Sequence, residues 1–83
     1  MFGKKWTKIE VYFTEEKTVD LMKMVFDDLN NGKIKHIAID NDRHNHTRKV
    51  LIVMFKKEKD LRKFQLKVEE QGLYDAIAVS ILK

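Results

Sequence analysis

Apolar residues recur along this chain in two alternating rhythms. Ile9, Val11 and Phe13 occupy every second position, as do Leu51, Val53 and Phe55, the spacing of a strand with one buried face. Between these runs Val19, Met22, Phe26 and Leu29 recur at steps of three and four, with Leu21 and Val25 broadening the stripe, which predicts a helix ending before Gly32. Leu61, Phe64 and Val68 repeat the pattern more sparsely before Gly72. A glycine just past a helix can take the left-handed conformation that closes it. With no proline and three glycines in the chain, these two are its clearest punctuation. Runs rich in Val, Ile, Tyr and Phe from Ile9 to Phe13, Ile34 to Asp40, Arg48 to Lys56 and Tyr74 to Leu82 predict four strands. The order is strand, helix, strand, strand, helix, strand.

The two halves resemble each other. A shift of 42 positions lays Ile9, Val11 and Phe13 on Leu51, Val53 and Phe55, repeats the pattern F-x-x-E-K, and brings Thr18 onto Asp60, two residues suited to cap a helix. A shift of 40 then matches Gly32 with Gly72 and Ile37 with Ile77. Two strand-helix-strand units with right-handed crossovers interlock as an α+β, ferredoxin-like βαββαβ fold: a four-stranded antiparallel sheet, first and third strands central, both helices on one face. Strand alternation assigns Ile9, Val11, Phe13, Ile37, Ile39, Leu51, Val53, Phe55, Ile77, Val79 and Ile81 to the helix side. Trp6, Lys8, Glu10, Tyr12, His36, Ala38, Arg48, Val50, Ile52, Met54, Tyr74, Ala76 and Ala78 fall on the open side.

The 83 residues, 43% apolar and 36% charged, predict one domain over residues 1–83, with 1–5 as a flexible basic start. A core of this size buries only about 60 to 65% of the unfolded chain's surface, so nearly every apolar face is needed. The absence of Cys excludes disulfides, thiolate-bound zinc and thiol catalysis. The mixed run after Lys4, Lys5 and Lys8 is not a signal peptide, and no apolar stretch approaches the roughly 20 residues of a membrane helix. A soluble, cytoplasmic domain is expected. Its 17 basic and 13 acidic residues leave a net charge of +4, a mild preference for polyanions.

Three clusters could carry function. Trp6, Tyr12, Val50, Ile52 and Met54 make the open sheet face too apolar to stand in water, which predicts a homodimer closing over it. Lys56, Lys57, Lys59, Arg62, Lys63 and Lys67 crowd the start of the second helix, where the helix dipole favours anions, and form a candidate anion-binding set. The alternative for these cations is a solvated helix face. In the hairpin, His44 and His46 beside Asp40 and Asp42 are divalent-metal ligand types, but the intervening Asn and Arg read as a solvated turn, so no metal and no cofactor are expected. Catalytic motifs are scarce: there is no Gly-rich phosphate loop, Ser80 is a lone serine without a base, and Glu16 and Glu58 are repeat-related acids leading each helix.

The segments Ile9-Glu10-Val11-Tyr12-Phe13, Asn31-Gly32-Lys33-Ile34 with Ile37-Ala38-Ile39-Asp40, and Leu73-Tyr74-Asp75-Ala76-Ile77-Ala78-Val79 together resemble an ACT-type domain, the small regulatory variant of the ferredoxin-like fold. That resemblance implies pairing through strands or helices and an amino-acid ligand at the turn after the first strand. There Thr14-Glu15-Glu16-Lys17 has the acids but lacks the family's Gly. RNA-recognition domains share the fold, but Val50, Ile52 and Met54 stand where stacking aromatics would be needed. The sequence therefore favours a non-enzymatic, homodimeric regulatory or scaffolding module that binds a small ligand or protein. The runner-up is a nucleic-acid-binding protein using the lysines of the second helix, and a metal-dependent nuclease comes third.

Overall fold

The computed structural model describes residues 6–82, with Trp6 and Leu82 as backbone; the basic start at 1–5 and the side chain of Trp6 lie outside the described residues. The elements are β1 (Trp6–Thr14), a 3-10 turn (Glu15–Lys17), α1 (Thr18–Asn30), β2 (Ile34–Asn41), β3 (Arg48–Phe55), α2 (Glu58–Gln71) and β4 (Ala76–Leu82). The sheet runs β2-β3-β1-β4 and every neighbouring pair is antiparallel, the ferredoxin-like arrangement expected from the repeat. Among the described residues no helix is long and apolar enough to cross a membrane.

Period-two alternation on the central pair concentrates the core on one face. Ile9, Val11 and Phe13 of β1 and Leu51, Val53 and Phe55 of β3 have no exposed surface, and they pack against Leu21 and Val25 of α1 and Leu61, Phe64 and Val68 of α2. The rings of Phe55 and Phe64 meet with centroids 5.3 Å apart. Both glycines close their helices as expected, with φ of 72° at Gly32 and 65° at Gly72. Lys33 N–H reaches back to Asp28 O at 3.0 Å, and Leu73 N–H to Val68 O at 3.0 Å, so orphan carbonyls at each helix end are satisfied. Leu73 is buried just beyond its helix, fixing the exit of the chain.

Several expectations are corrected. The buried line of α1 is Leu21, Val25 and Asp28, whereas Val19, Phe26 and Leu29 are exposed by 65%, 55% and 42%. The 3-10 turn before α1 advances about 120° per residue rather than about 100°, which shifts the helix phase and brings the neighbouring apolar line onto the sheet. Neither expected cap forms. The α-helical residues begin at Thr18, whose hydroxyl donates to Glu15 O at 2.7 Å, and Asp60 lies inside the first turn of α2, behind Lys57. Ile39 is 48% exposed because it stands near the end of an edge strand. Strand β1 starts three residues earlier than Ile9, held partly by the Thr7 hydroxyl donating to Phe55 O at 3.1 Å, and β4 starts at Ala76 rather than Tyr74.

Asp28 is a carboxylate carried into the helix–sheet layer. Burial raises its pKa above the ordinary 3.8; Lys33 and Lys67 oppose that rise, while Asp27 and Asp60 add to it. A raised carboxylate pKa makes the folded state hold its proton more tightly, so stability falls as pH climbs from 3.8 through the raised value, and the cost persists at neutral pH. Asp28→Asn is therefore expected to raise the melting temperature at pH 7, with the gain vanishing below about pH 4. Phe64→Ala should lose about 3 to 5 kcal/mol in denaturant unfolding, whereas Phe26→Ala should stay within about 0.5 kcal/mol. Equal losses at the two phenylalanines would contradict the observed phase of α1.

Candidate functional site

The open sheet face is read in cross-strand rows. Asp40, Val50, Tyr12 and Ala76 form one row, Ala38, Ile52, Glu10 and Ala78 the next, and His36, Met54, Lys8 and Ser80 a third. A carboxylate thus stands mid-sheet beside Ile52, one row from a phenol. Glu10, Tyr12, Ile52 and Met54 are half-buried within the chain. Val50 is only 8% exposed, so the apolar surface offered to a partner is smaller than the sequence suggested.

Val50 lies under a groove of about 260 Å³ lined by Glu10, Tyr12, Val50, Ile52 and the hairpin residues Asp40 to His44. The hairpin is pinned over the sheet by one buried carboxylate. Asp42 accepts the backbone N–H of His44 at 2.9 Å and Arg48 Nε at 3.1 Å, and it forms an ion pair with Arg48 at 3.0 Å. The Arg48 guanidinium in turn lies 5.6 Å from the centre of the Tyr12 ring, a cation–π contact linking hairpin to sheet. The His44 amide, foremost, and then Arg48 hold the Asp42 pKa below the ordinary 3.8 against the opposing effect of burial. Because that folded value is depressed, the stabilisation is complete above pH 3.8 and fades as pH falls through the lower folded value. Asn45 shapes the rest of the loop by accepting the amide and hydroxyl of Thr47 at 3.0 and 2.6 Å.

Asp42 is therefore engaged as a structural anion, and His46 is exposed away from the groove's lining. Among the described residues no three His, Cys, Asp or Glu side chains are grouped to hold a metal ion. The two repeat-related acids diverge as well. Glu16 accepts the Thr14 hydroxyl, chiefly through which its pKa is lowered, whereas Glu58 pairs with Arg62 at 3.6 Å. Ser80 is exposed on β4 opposite Lys8, and His36 is exposed on the edge strand.

The basic cluster splits. Lys56, Lys57, Lys59 and Lys63 line a second cavity, of about 390 Å³, together with Asn31, Gly32, Lys33 and Asp60. Arg62 instead turns to Glu58 and to Gln65, and Lys67 stands outside the lining. Lys33 was missed because it lies more than twenty positions from the cluster; the Lys56 amide, bonded to Lys33 O at 3.1 Å, brings them together. The groove was missed for a different reason. Glu10 and Tyr12 read as strand residues, and only sheet register places them under His44.

No protein-family model matches the chain, and no curated protein sequence matches it. Solved structures do. The C-terminal domain of the MgtC protein from Mycobacterium tuberculosis superposes with a TM-score of 0.72 at 8% identity, covering 98% of this chain and 90% of that one. A cofactor-independent oxygenase from Streptomyces nogalater, SnoaB, gives a TM-score of 0.64 at 8% identity over 96% of this chain and 90% or more of its own, 92%. A proposed antibiotic biosynthesis monooxygenase from Nitrosomonas europaea gives 0.54 at 15% identity, covering 98% and 90%. At such identities the likeness shows the fold. The expectation of a non-enzymatic regulatory module or nucleic-acid binder is corrected to this extent: proteins named as oxygenases share this fold across nearly the whole chain, so the fold is one that enzymes use. Lacking a thiol, a paired serine and a phosphate loop excludes particular chemistries, but proton transfer on a sheet face needs none of them.

Proposed function

We propose that the chain is a small single-domain oxygenase acting on a planar, enolisable aromatic substrate in the groove beneath the β2–β3 hairpin. The observation that carries this reading is the convergence of a carboxylate, a phenol and an imidazole on one groove floored by Val50 and Ile52. Half-buried Ile52 gives a planar substrate an apolar contact on the sheet beside the nearly covered Val50, and the polar groups that make up the rest of the lining orient it. The cofactor-independent oxygenase of the same fold supplies the reaction class.

Glu10 takes the proton from an acidic C–H of the substrate, and the Tyr12 hydroxyl donates to the oxygen on which the resulting negative charge is delocalised. The carbanion forms a C–O bond to dioxygen, and the resulting peroxide takes a proton from His44. The second C–H proton then passes to His44 as the O–O bond breaks, and Glu10 gives up the proton it holds so that the departing hydroxide leaves as water. The balance is SH2 + O2 → S=O + H2O, in which a methylene becomes a carbonyl and no external reductant is consumed. Arg48 keeps the Tyr12 ring in place from above while Asp42 holds Arg48.

The groove opens on the same face as Ile52 and Met54. A second copy closing over that face would exclude water from the carbanion, as proton-abstraction chemistry requires. A homodimer closing face to face over the open side of the sheet therefore belongs to this proposal. Light scattering should give a dimer at micromolar concentration that Ile52→Lys converts to monomer, because an unpaired ammonium is costly in a desolvated interface. A monomer across the concentration range would remove the dimer.

Activity is tested by oxygen uptake with a panel of fused-ring aromatic ketones bearing an enolisable C–H. Consumption of one dioxygen per substrate is expected, falling by about 100-fold or more in Glu10→Gln and by roughly tenfold in Tyr12→Phe. No uptake with any substrate of this class, or an unchanged rate in Glu10→Gln, would refute the assignment.

A further inference from the structure

We propose that the cavity between the end of α1 and the start of α2 binds a hydroxyl-bearing small molecule with a diphosphate or triphosphate group. This site is separate from the sheet-face groove, with which it shares no lining residue. Its walls come from three segments: Asn31 to Lys33 after α1, Lys56 and Lys57 after β3, and Lys59, Asp60 and Lys63 on α2. The Lys56–Lys33 backbone bond ties the first two together at 3.1 Å.

Charge selects the ligand. Five lysine ammonium groups face one carboxylate around the cavity, leaving an excess of four positive charges. Among the described residues none of the five lysines makes an ion pair. Lys59 and Lys63 are like charges one helical turn apart, and at the start of α2, which no side-chain oxygen caps, the first-turn acids Glu58 and Asp60 are offset by Lys57 and Lys59. A di- or triphosphate bridging these cations would relieve the repulsion between them.

Asp60 is the second, independent observation. It is only 9% exposed, lines the same cavity, and has no hydrogen-bond or ion-pair partner among the described side chains. A buried carboxylate facing a phosphate site accepts from a hydroxyl or amine of the ligand, so a nucleotide-like molecule fits better than inorganic phosphate. An extended nucleic acid would need a basic track continued along α2, and there Arg62 is engaged by Glu58 and Gln65. Its volume, about 390 Å³, falls in the usual range for compact ligands.

Calorimetric titrations with ADP, inorganic pyrophosphate and a single-stranded RNA oligomer at about 150 mM salt test the site. ADP is expected to bind more tightly than pyrophosphate, with RNA binding negligible. Lys33→Ala should weaken ADP by about tenfold and Lys59→Glu with Lys63→Glu by about 100-fold, while Lys67→Glu leaves it unchanged. Asp60→Ala should erase the preference for ADP over pyrophosphate. Lys33→Ala, a substitution outside the helix, keeps the test valid if Asp60→Ala unfolds. No ADP or pyrophosphate binding at millimolar concentration, equal losses in Lys67→Glu and Lys33→Ala, or RNA binding tighter than ADP would overturn the proposal.

Discussion

The one-sided burial of the β1–β3 pair is the constraint from which the rest of the molecule follows. Six side chains on the helix side of these two strands lose all contact with solvent, and both helices donate their apolar lines to that single layer. In a chain of 83 residues little apolar material is left for a second layer. The opposite side of the same strands is consequently free to carry Glu10, Tyr12 and Ile52, whose backbones are as firmly held as the core itself. A rigid sheet with one unspent face is a suitable platform for orienting a flat molecule.

The Asp42–Arg48–Tyr12 chain of contacts turns that face into a groove. A hairpin of Asp, Asn, His and Arg would ordinarily move freely in water, yet here one carboxylate with two donors folds it over the sheet. Arg48 then acts twice, as the partner of Asp42 and as the cation above Tyr12. Val50 is covered as a result, which is why the face is less apolar than its sequence implies.

Much of the architecture was legible because each local signal pointed the same way. Alternation in Ile9-Val11-Phe13 and Leu51-Val53-Phe55, glycines after both helices, and an internal repeat together specified the strand order. The phase of α1 was not legible. Two adjacent apolar lines compete on that helix, and the one that is buried ends in Asp28, a carboxylate whose burial is costly and which periodicity alone does not place in a core. The sites were hidden for a related reason. Glu10 and His44, like Lys33 and Lys59, are distant in sequence and meet only through sheet register and the return of the chain from β3 to α2. The lysine excess of α2 was visible, but its convergence on a cavity depended on one backbone bond between Lys56 and Lys33.

The central claim is that the groove under the hairpin receives a planar aromatic substrate. Its most direct test is amide chemical-shift mapping by NMR while a fused-ring, enolisable ketone is titrated without oxygen, so that binding is seen apart from turnover. The account predicts saturable shifts centred on Glu10, Tyr12, Val50, Ile52 and the hairpin from Asp40 to His44. Absence of shifts, or shifts centred on Lys33 and Lys56 to Lys63, would contradict it.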